Sequence, residues 1–495
     1  MSDAQEIITL MKEPSESGKA LIEKAFVFSQ KAHEGQHRFT GDPYFIHAFS
    51  TGKNLATFGA DAETIAAGLL HDVIEDAGIS DKTIQDEFGK TVLFLVTGVT
   101  KLGKLKYRGL ERHVESLRKL FIATAEDPRV ILIKLADRLH NVETLQGHTN
   151  PEKQHRIALE TIEIFAPLAN RLGMGKLRGD LEDYAFPYAY PKGYAETVRL
   201  RNEKSKLSEK YVKKVHHTLG KKLAEQDFTD FHIGSRIKGL YSLYRKLRYH
   251  NMDIDKIHDI VALRVIVPSV ADCYRVLGIV HNIWRPLPGR IKDYIATPKY
   301  NGYQSLHTTV FTGDGGITEI QIRTREMHQT AEYGMASHLA YKEGILSLLK
   351  RRVGMRTKEK LSWIRDLIAH EKDMADDGSY LNNLKLDFFG DRVFVFTPKG
   401  DVIDLPATAT AIDFAYTIHS DVGNHTAGVK VNGKFVAIDT VLKNGDIIEV
   451  LTRRDAHPSK KWLDYSHTTI ARKHIKAAIQ KTFKNPIARF KSKNS

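Results

Sequence analysis

Apolar positions recur with different periods in successive parts of the chain. From Glu6 to about Tyr190, segments such as AETIAAGLLHDVIEDAG and RVILIKLADRLHNVETL carry them at three- and four-residue spacing, the period of an amphipathic helix. Two-residue alternation is scarce there, so this region is expected to be all-α. A charged stretch from Arg199 to Lys222 reads as a solvated helix bridging to a segment of different character. After Phe231, helical stretches (GLYSLYRKLRYH, ADCYRVLGIVHNIW) alternate with strand-like ones (IVALRVIV, HTTVFT, ITEIQIRT), which predicts an α/β or α+β domain. Residues 343–383 are highly charged and then rich in Asp, Gly and Asn, as expected of a helical connector ending in a loop. Beyond it, RVFVFTPKGDVIDLP and VKVNGKFVAI read as hairpins, the second with Asn432 and Gly433 at a type I′ turn. With the helical AIDFAYTIHSDVG between them they predict a small β-grasp-like domain. The stretch from Arg453 is rich in Lys, Arg and His and holds one more amphipathic helix, TTIARKHIKAAIQKTF.

The 495 residues allow three or four domains. A formal net charge of +14 implies partners rich in phosphate, whether nucleotide, RNA or anionic membrane, because lysine and arginine concentrate anions over long range. Cys273 is the only cysteine, which excludes an intramolecular disulfide and a cysteine-built zinc site and fits a reducing compartment. The N-terminal MSDAQEIITLMKEPSESG has no apolar core of a signal peptide, and no apolar run approaches the ~20 residues of a membrane helix. The expectation is a cytoplasmic protein with no membrane partner.

Two stretches carry candidate chemistry. In LLHDVIED, His71 and Asp72 are adjacent and Glu75 and Asp76 follow at helical spacing, which predicts all four on one side of a single helix. Acids in an apolar frame are costly unless they hold a cation or do chemistry. His47 in YFIHAF and Asp137 in IKLADRLHN add an imidazole and a carboxylate from other helices, a donor set suited to a borderline divalent ion that can activate water. Taken singly, either histidine reads equally well as an ordinary core residue; the order of the four makes the signal.

In the second stretch, Asp259 and Arg264 flank the apolar run DIVALRVIV, and residues five apart belong on opposite strand faces, so Asp259 is expected outside the strand or beside a bulge. ITEIQIRT alternates cleanly, with Glu319, Gln321 and Arg323 on one face. A carboxylate on each of two strands suits a Mg2+-dependent phosphoryl-transfer site, although a solvated sheet face would show the same alternation. Between the strands, GRIKDYIATPKYNGYQSLHTT interleaves Arg290, Lys292 and Lys299 with Asn301-Gly302-Tyr303, a pattern able to grip phosphates and lay an aromatic ring on a base.

Residues 38–76 together with KLADRLHN resemble the hydrolase domain of the long RelA/SpoT-type alarmone synthetase/hydrolases. GSRIKGLYSLYRKL, DIVALRV, RIKDYIATPKYNGYQSLHTTV and EIQIRT resemble the synthetase domain of the same family. Residues 393–452 are similar to the TGS domain that follows it. The resemblance covers about nine tenths of the chain. It implies a multidomain protein: an all-α HD-type hydrolase at 1–195, a nucleotidyltransferase-like α/β synthetase at 196–342, a helical linker at 343–385, a β-grasp TGS domain at 386–452 and a basic helical tail at 453–495.

The implied activities are transfer of pyrophosphate from ATP to the 3′-hydroxyl of GDP or GTP, giving (p)ppGpp and AMP, and hydrolysis of that pyrophosphate. In the first site the resemblance implies His47, His71, Asp72 and Asp137 as ligands of a Mn2+ ion. Glu75 and Asp76 would steer water there, and Arg38 and Asn141 would hold the nucleotide. In the second it implies Arg236 and Arg264 on adenine, and Lys238, Ser242, Lys246 and Lys299 on the ATP phosphates. Tyr303 would stack on guanine with Asn301 and His307 nearby, Asp259 would hold Mg2+, and Glu319 would join that shell and activate the 3′-hydroxyl. Arg290-Ile291-Lys292-Asp293 matches the basic form of a motif that synthesis-only members carry in acidic form, which implies a bifunctional enzyme.

The TGS resemblance implies uncharged tRNA and the ribosome as partners, with His419 toward the tRNA 3′ end. Departures from the family pattern are Glu143 in place of a more usual basic residue, and SHLAYK at 337–342, which lacks the usual glutamate and tryptophan. Long members also continue into further regulatory modules, whereas this sequence stops at Ser495. The competing expectations are a nucleotide hydrolase with a vestigial second domain and a non-catalytic tRNA- or ribosome-binding regulator. Intact Asp259, Glu319 and Tyr303 speak against the first, and the intact His/Asp set against the second.

Overall fold

The chain divides into two compact units, Met1–Ile368 and Ala369–Ser495. The computed structural model describes residues 3–12, 14–100, 123–124, 126–257, 259–299, 301–313, 316–334 and 392–484. The expected linker and the SHLAYK motif lie outside the described residues.

The first unit opens with helices α1 (Ala4–Leu10), α2 (Glu16–Ala32), α3 (Phe45–Phe58), α4 (Ala62–Leu69), α5 (Val73–Asp76), α6 (Asp81–Thr100), α7 (Arg129–Glu143), α8 (Pro151–Glu160), α9 (Ala166–Arg171) and α10 (Gly175–Ala189). Side chains of Asp3, Ser15, Asp61 and Asn150 accept hydrogen bonds from first-turn amides of four of them, each cap worth ~1 kcal/mol. Ile22, Leu55, Ile65, Leu69, Leu95, Ile131, Leu132 and Leu135 are fully buried, at about 1.5–3 kcal/mol each. Gly68 lets α4 press onto α3: a Cβ there would lie 2.3 Å from Leu55 Cδ1.

LLHDVIED is not the single helix that its spacing predicts. The α-helix α4 stops at Leu69, a turn carries residues 70–72, and α5 restarts at Val73. Leu70 and Asp72 have φ near −105° with ψ near zero, and the His71 ring bonds back to the Gly68 carbonyl. His71 and Asp72 therefore stand on a turn, and Glu75 and Asp76 on a separate short helix.

Helix α11 (Pro191–Ala224) runs unbroken through the expected 195/196 junction. It is also less solvated than its charge suggests. Leu200, Val212, Val215, Leu219 and Leu223 are buried in one core with Leu263, Val265, Ile320 and Ile322. The spacing of 212, 215, 219 and 223 is a helical apolar stripe hidden among lysines.

The sheet that shares this core comprises β1 (His232–Ile237), β2 (Val261–Val267), β3 (Lys292–Asp293), β4 (Leu306–Phe311) and β5 (Ile317–Thr324). Its order is β1-β2-β5-β4-β3, with β2 and β5 parallel and the other pairs antiparallel. Helices α12 (Leu240–Tyr249), α13 (Val270–Ile283) and α14 (Arg325–Tyr333) complete it, and the α/β expectation holds. Asp259 lies two residues before β2, outside the strand.

The second unit contains the hairpin β6 (Arg392–Phe396) and β7 (Val402–Pro406), and a sheet of β8 (Thr426–Val431), β9 (Lys434–Val436) and β10 (Ile448–Thr452) in order β10-β8-β9. A parallel bridge from Phe396 to Ile447 links the two. Helix α15 (Ala411–Ile418) packs Phe414 on Val395, Leu405, Val429 and Ile448, the expected β-grasp arrangement. Asn432 and Gly433 have φ of 52° and 79°, as a type I′ turn requires. AIDFAYTIHSDVG is two helices, α15 and α16 (Ser420–Asn424), hinged at the extended His419. After α17 (Trp462–Tyr465) comes the amphipathic α18 (Thr469–Lys484), which buries Ala471 and Ile475 against Ile412, Ala415 and Tyr416. The basic segment is thus docked on this unit through its apolar stripe. Among the described residues no helix is long and apolar enough to cross a membrane.

Candidate active sites

The first site lies where α3, α7 and the turn after α4 meet. His47 from α3, His71 from the turn and Asp137 from α7 are buried, with one donor atom of each within 4.8 Å of the others. His47 Nε2 and His71 Nε2 are 3.2 Å apart, and His71 Nε2 is 3.0 Å from Asp72 Oδ2. His47 Nε2 is 3.2 Å from Asp137 Oδ1 and 3.6 Å from Asp72 Oδ2. The four residues singled out in the sequence therefore converge on one point.

The surrounding bonds orient those rings. His71 Nδ1–H donates to the Gly68 carbonyl at 2.8 Å, which leaves Nε2 a lone pair. Arg38, a donor only, faces His140 Nδ1 at 3.0 Å, so that nitrogen is an acceptor. It lies 2.8 Å from His47 Nδ1, which must then carry the hydrogen and leave His47 Nε2 a lone pair as well. Burial, with the Arg38 charge beside it, pushes His140 down to about 3, consistent with a neutral acceptor.

Two imidazole lone pairs and two carboxylates pointing at one another repel unless positive charge lies between them. A divalent cation meets that need and fits the mixed nitrogen and oxygen donor set. Without one, a proton serves: burial opposes it, but Asp72 and Asp137 push His71 up to about 9. Burial lowers His47, and Asp137 and Asp72 only partly oppose this.

Around these four residues, Lys134 Nζ holds Asp137 Oδ2 at 2.8 Å, and the Tyr44 hydroxyl lies 2.8 Å from Asp72 Oδ2 and 2.6 Å from Asp76 Oδ2. Burial and Asp72 raise the Tyr44 hydroxyl, so it stays a donor. Asp76 thus reaches the centre through Tyr44, with Glu75 beside it on α5. Arg38 bonds Asn141 Oδ1 at 2.6 Å and Thr144 Oγ1 at 3.2 Å, which brings the two nucleotide candidates together. Sequence reasoning missed Tyr44, Lys134 and His140; their presence inside the motifs PYFIHAF and KLADRLHN was the available signal.

The second site lies on the sheet. β2 and β5 run parallel with Ala262 beside Glu319, which brings Asp259, just before β2, within electrostatic reach of Glu319. Lys238 and Lys246 both bind Asp259 Oδ2. Burial would raise Asp259, but the two ammonium groups hold it down at about 2. Burial, only partly offset by Asp259, brings Lys238 down to about 8. Burial and the neighbouring Lys292 and Arg178 bring Lys299 to about 8 as well. Lys299 Nζ lies over the Tyr294 and Tyr303 rings, at 4.6 and 5.3 Å.

A chain of contacts runs from Tyr303 Oη to His307 Nε2 at 2.8 Å and from His307 Nδ1 to Glu319 Oε1 at 2.9 Å. Gln321 Nε2 donates to the same Glu319 oxygen at 2.9 Å. Burial opposes ionisation of Glu319, yet these partners hold it below the usual carboxylate range. On the far side of β2, Gly234 pairs with Arg264 and Ala262 with Arg236, so the two arginines sit diagonally on one face.

Two candidates are held by the helical region. Ser242 Oγ faces Glu182 Oε2 at 3.3 Å, and Asn301 Nδ2 donates to the Asn170 carbonyl at 3.1 Å. Asn301 Oδ1 accepts from Tyr303 N at 3.2 Å, so its side chain pins the loop. Gly239, which opens α12, sits so close to Asp183 that a Cβ would fall 2.9 Å from its carboxylate. Arg290 and Lys292 are exposed at the sheet edge. In the second unit, His419 is exposed and caps α16, its Nδ1 accepting from Asp421 N at 3.2 Å.

Comparison with known proteins covers all three regions. The HD domain matches residues 25–175, the region found in RelA / SpoT proteins matches 235–345, and the TGS domain matches 393–452. A GTP pyrophosphokinase of Myxococcus xanthus is 46% identical over 93% of this chain and 60% of its own length. A guanosine-3′,5′-bis(diphosphate) 3′-pyrophosphohydrolase of Aquifex aeolicus is 45% identical over 93% of this chain and 64% of its own. A bifunctional (p)ppGpp synthase/hydrolase RelA of Mycobacterium tuberculosis is 41% identical over 90% and 60%. The chain spans roughly three fifths of the length of these curated relatives. With HD, RelA/SpoT and TGS domains in that order, and over 40% identity across nine tenths of its length, the chain resembles the RelA/SpoT-type (p)ppGpp synthetase/hydrolases over the part of them that it spans.

Proposed function

We propose that this chain both makes and destroys (p)ppGpp, from two separate sites. The observation that supports this most strongly is that each candidate set converges: four metal-type donors in the helical region, and two acids ringed by lysines on the sheet. The names of the relatives, one for each activity and one for both, agree with it.

In hydrolysis, His47, His71, Asp72 and Asp137 would hold a divalent ion, which we take to be Mn2+. When bound, the ion acts as a Lewis acid and makes a water nucleophilic near neutral pH. Glu75 and Asp76 steer the attacking water and one of the two takes its proton, with the Tyr44 hydroxyl lying between Asp76 and Asp72. Arg38 and Asn141 bind the nucleotide, and water attack cleaves the 3′-pyrophosphate to leave GDP or GTP.

In synthesis, Arg236 and Arg264 flank the adenine of ATP, while Lys238, Ser242, Lys246 and Lys299 bind its phosphates, with Arg290 and Lys292 extending the basic rim. Asp259 and Glu319 would hold Mg2+, which would offset phosphate charge. Tyr303 stacks on guanine beside Asn301 and His307. Glu319, ordered by His307 and Gln321, takes the proton of the 3′-hydroxyl as its oxygen attacks the β-phosphorus of ATP, and AMP leaves.

Uncharged tRNA and the ribosome are the proposed partners of the second unit, through His419 and the basic face of α18. The buried single cysteine and the nucleotide substrates favour the cytoplasm. Two incubations test the assignment by product analysis: ATP with GDP and Mg2+, and ppGpp with Mn2+. AMP with ppGpp in the first and GDP with pyrophosphate in the second are expected, and absence of either product removes that activity from the proposal.

A further inference from the structure

Arg264 does not stand alone on its strand. Arg323, at the end of β5, is only 1% exposed and is the largest fully buried side chain among the described residues. Arg236, Arg264 and Arg323 sense one another's charge, and burial together with Arg323 brings Arg264 down to about 10. Three guanidinium groups gathered under a nucleotide site would splay apart without a counter-charge.

Among the described residues one carboxylate ion-pairs with this cluster. Glu332 Oε1 lies 3.3 Å from Arg264 Nη1 and 3.1 Å from Arg323 Nη2, with His328 Nδ1 at 3.7 Å. His328 Nδ1 also sits 2.7 Å from Arg323 Nη2. The sequence places Glu332 there by simple means. Thr324 caps α14 with its hydroxyl, Met327 and Ala331 bury one face of the helix, and His328 and Glu332, one turn apart, lie over the arginines. Arg264 Nε is buried and makes no hydrogen bond among the described residues, so this guanidinium is held at one corner with donor capacity to spare.

We infer that Glu332 is a positioning residue for ATP: by clamping Arg264 against Arg323 it sets the plane on which the adenine ring lies. Glu332 touches neither substrate and acts through Arg264. The inference rests on the proposed role of Arg264 as an ATP contact and deepens it, since it assigns the specificity of that half of the site to a residue on α14. Glutamate is required for its charge and its reach. Glutamine keeps the shape but leaves two buried cations without an anion, whereas aspartate keeps the charge one methylene short.

The test compares Glu332→Gln, Glu332→Asp and Arg264→Ala in the full chain. Equilibrium binding of a non-hydrolysable ATP analogue and of GDP is measured with Mg2+, alongside ppGpp hydrolysis with Mn2+ as a check on folding. For Glu332→Gln we expect about tenfold weaker ATP-analogue binding, with GDP binding and hydrolysis within about twofold of the parent, and partial recovery in Glu332→Asp. Unchanged ATP-analogue binding in Glu332→Gln, beside a clear loss in Arg264→Ala, overturns the positioning role alone. Equal losses of both nucleotides and of hydrolysis overturn it in favour of a purely structural residue. If Arg264→Ala itself binds the analogue normally, the underlying assignment of Arg264 fails instead.

Discussion

The two candidate sites solve opposite electrostatic problems. In the helical region, lone pairs and carboxylates converge with a deficit of positive charge, and among the described residues Lys134 and Arg38 bond to the cluster. On the sheet, cations outnumber anions: Lys238, Lys246, Lys299, Arg236, Arg264 and Arg323 surround Asp259, Glu319 and Glu332. The first arrangement suits a cation and the second a polyphosphate. Neither set of side chains could serve the other's purpose, which is why one fold region carries each.

The sharpest way to break this comparison is to delete a ligand. Asp72→Ala is expected to reduce ppGpp hydrolysis on the order of a thousandfold while synthesis stays within twofold, because its partners are His47, His71 and Tyr44 in the helical region. Chelation should reproduce the loss. Parallel loss of both activities would mean that the sites are not separate.

The mirror experiment is Glu319→Gln, which keeps the shape but removes the charge beside His307 and Gln321. Synthesis should fall roughly 10²–10⁴-fold with nucleotide binding retained, the size usual for loss of a general base. Tyr303→Ala should act more gently, weakening GDP binding by about 1–3 kcal/mol, or roughly 5–150-fold, with little change for ATP. Equal weakening of ATP would put Tyr303 on the wrong nucleotide.

A smaller effect separates the sites by pH. Lys299 is depressed from the ordinary lysine value to about 8 by burial, so between about 8 and 10.5 the unfolded chain binds this proton and the folded one does not. Over that window the group's contribution to stability rises with pH, while its grip on phosphate weakens as the ammonium is lost. The KM for ATP should therefore climb above pH 8, by up to roughly tenfold per unit for a single proton, and Lys299→Arg should flatten the profile. A flat profile in the parent would remove Lys299 from the phosphate contacts.

How far these sites were legible in the sequence follows from what each kind of spacing encodes. The order of His47, His71, Asp72 and Asp137 could be read because each sits in an apolar frame where a polar residue needs a reason. The break at Leu70–Asp72 could not, since it depends on the His71 ring bonding to Gly68, a contact invisible to periodicity. The alternation of ITEIQIRT correctly put Glu319 and Gln321 on one face, and of the two placements that periodicity left for Asp259, outside the strand or beside a bulge, the first is the one observed. The helix α11 was misjudged because abundant lysine masks the stripe of Val212, Val215, Leu219 and Leu223. Asn301 looked like a ligand, and its bond to Asn170, 131 residues away, is a tertiary fact that no local pattern carries.

The smallest expected effect on either activity comes from the second unit, and it tests whether that unit contributes to the chemistry. Asp413 is fully buried on α15, and its carboxylate accepts from Thr410 N and Oγ1, His467 N, and Thr468 N and Oγ1. It therefore ties the start of α15 to the segment leading into α18. Asp413→Ala leaves several buried donors without an acceptor, a loss of about 3–5 kcal/mol, enough to lower the melting temperature of this unit by roughly 10 °C or more. All of the candidate catalytic residues lie in the first unit, so synthesis and hydrolysis measured without RNA at a temperature below that transition should stay within twofold of the parent. Any response to uncharged tRNA or ribosomes should shrink, since the proposed RNA face loses the helix that α15 holds. Loss of basal synthesis or hydrolysis in Asp413→Ala would mean that the second unit supports the active sites directly. An undiminished RNA response would remove α18 from the contact.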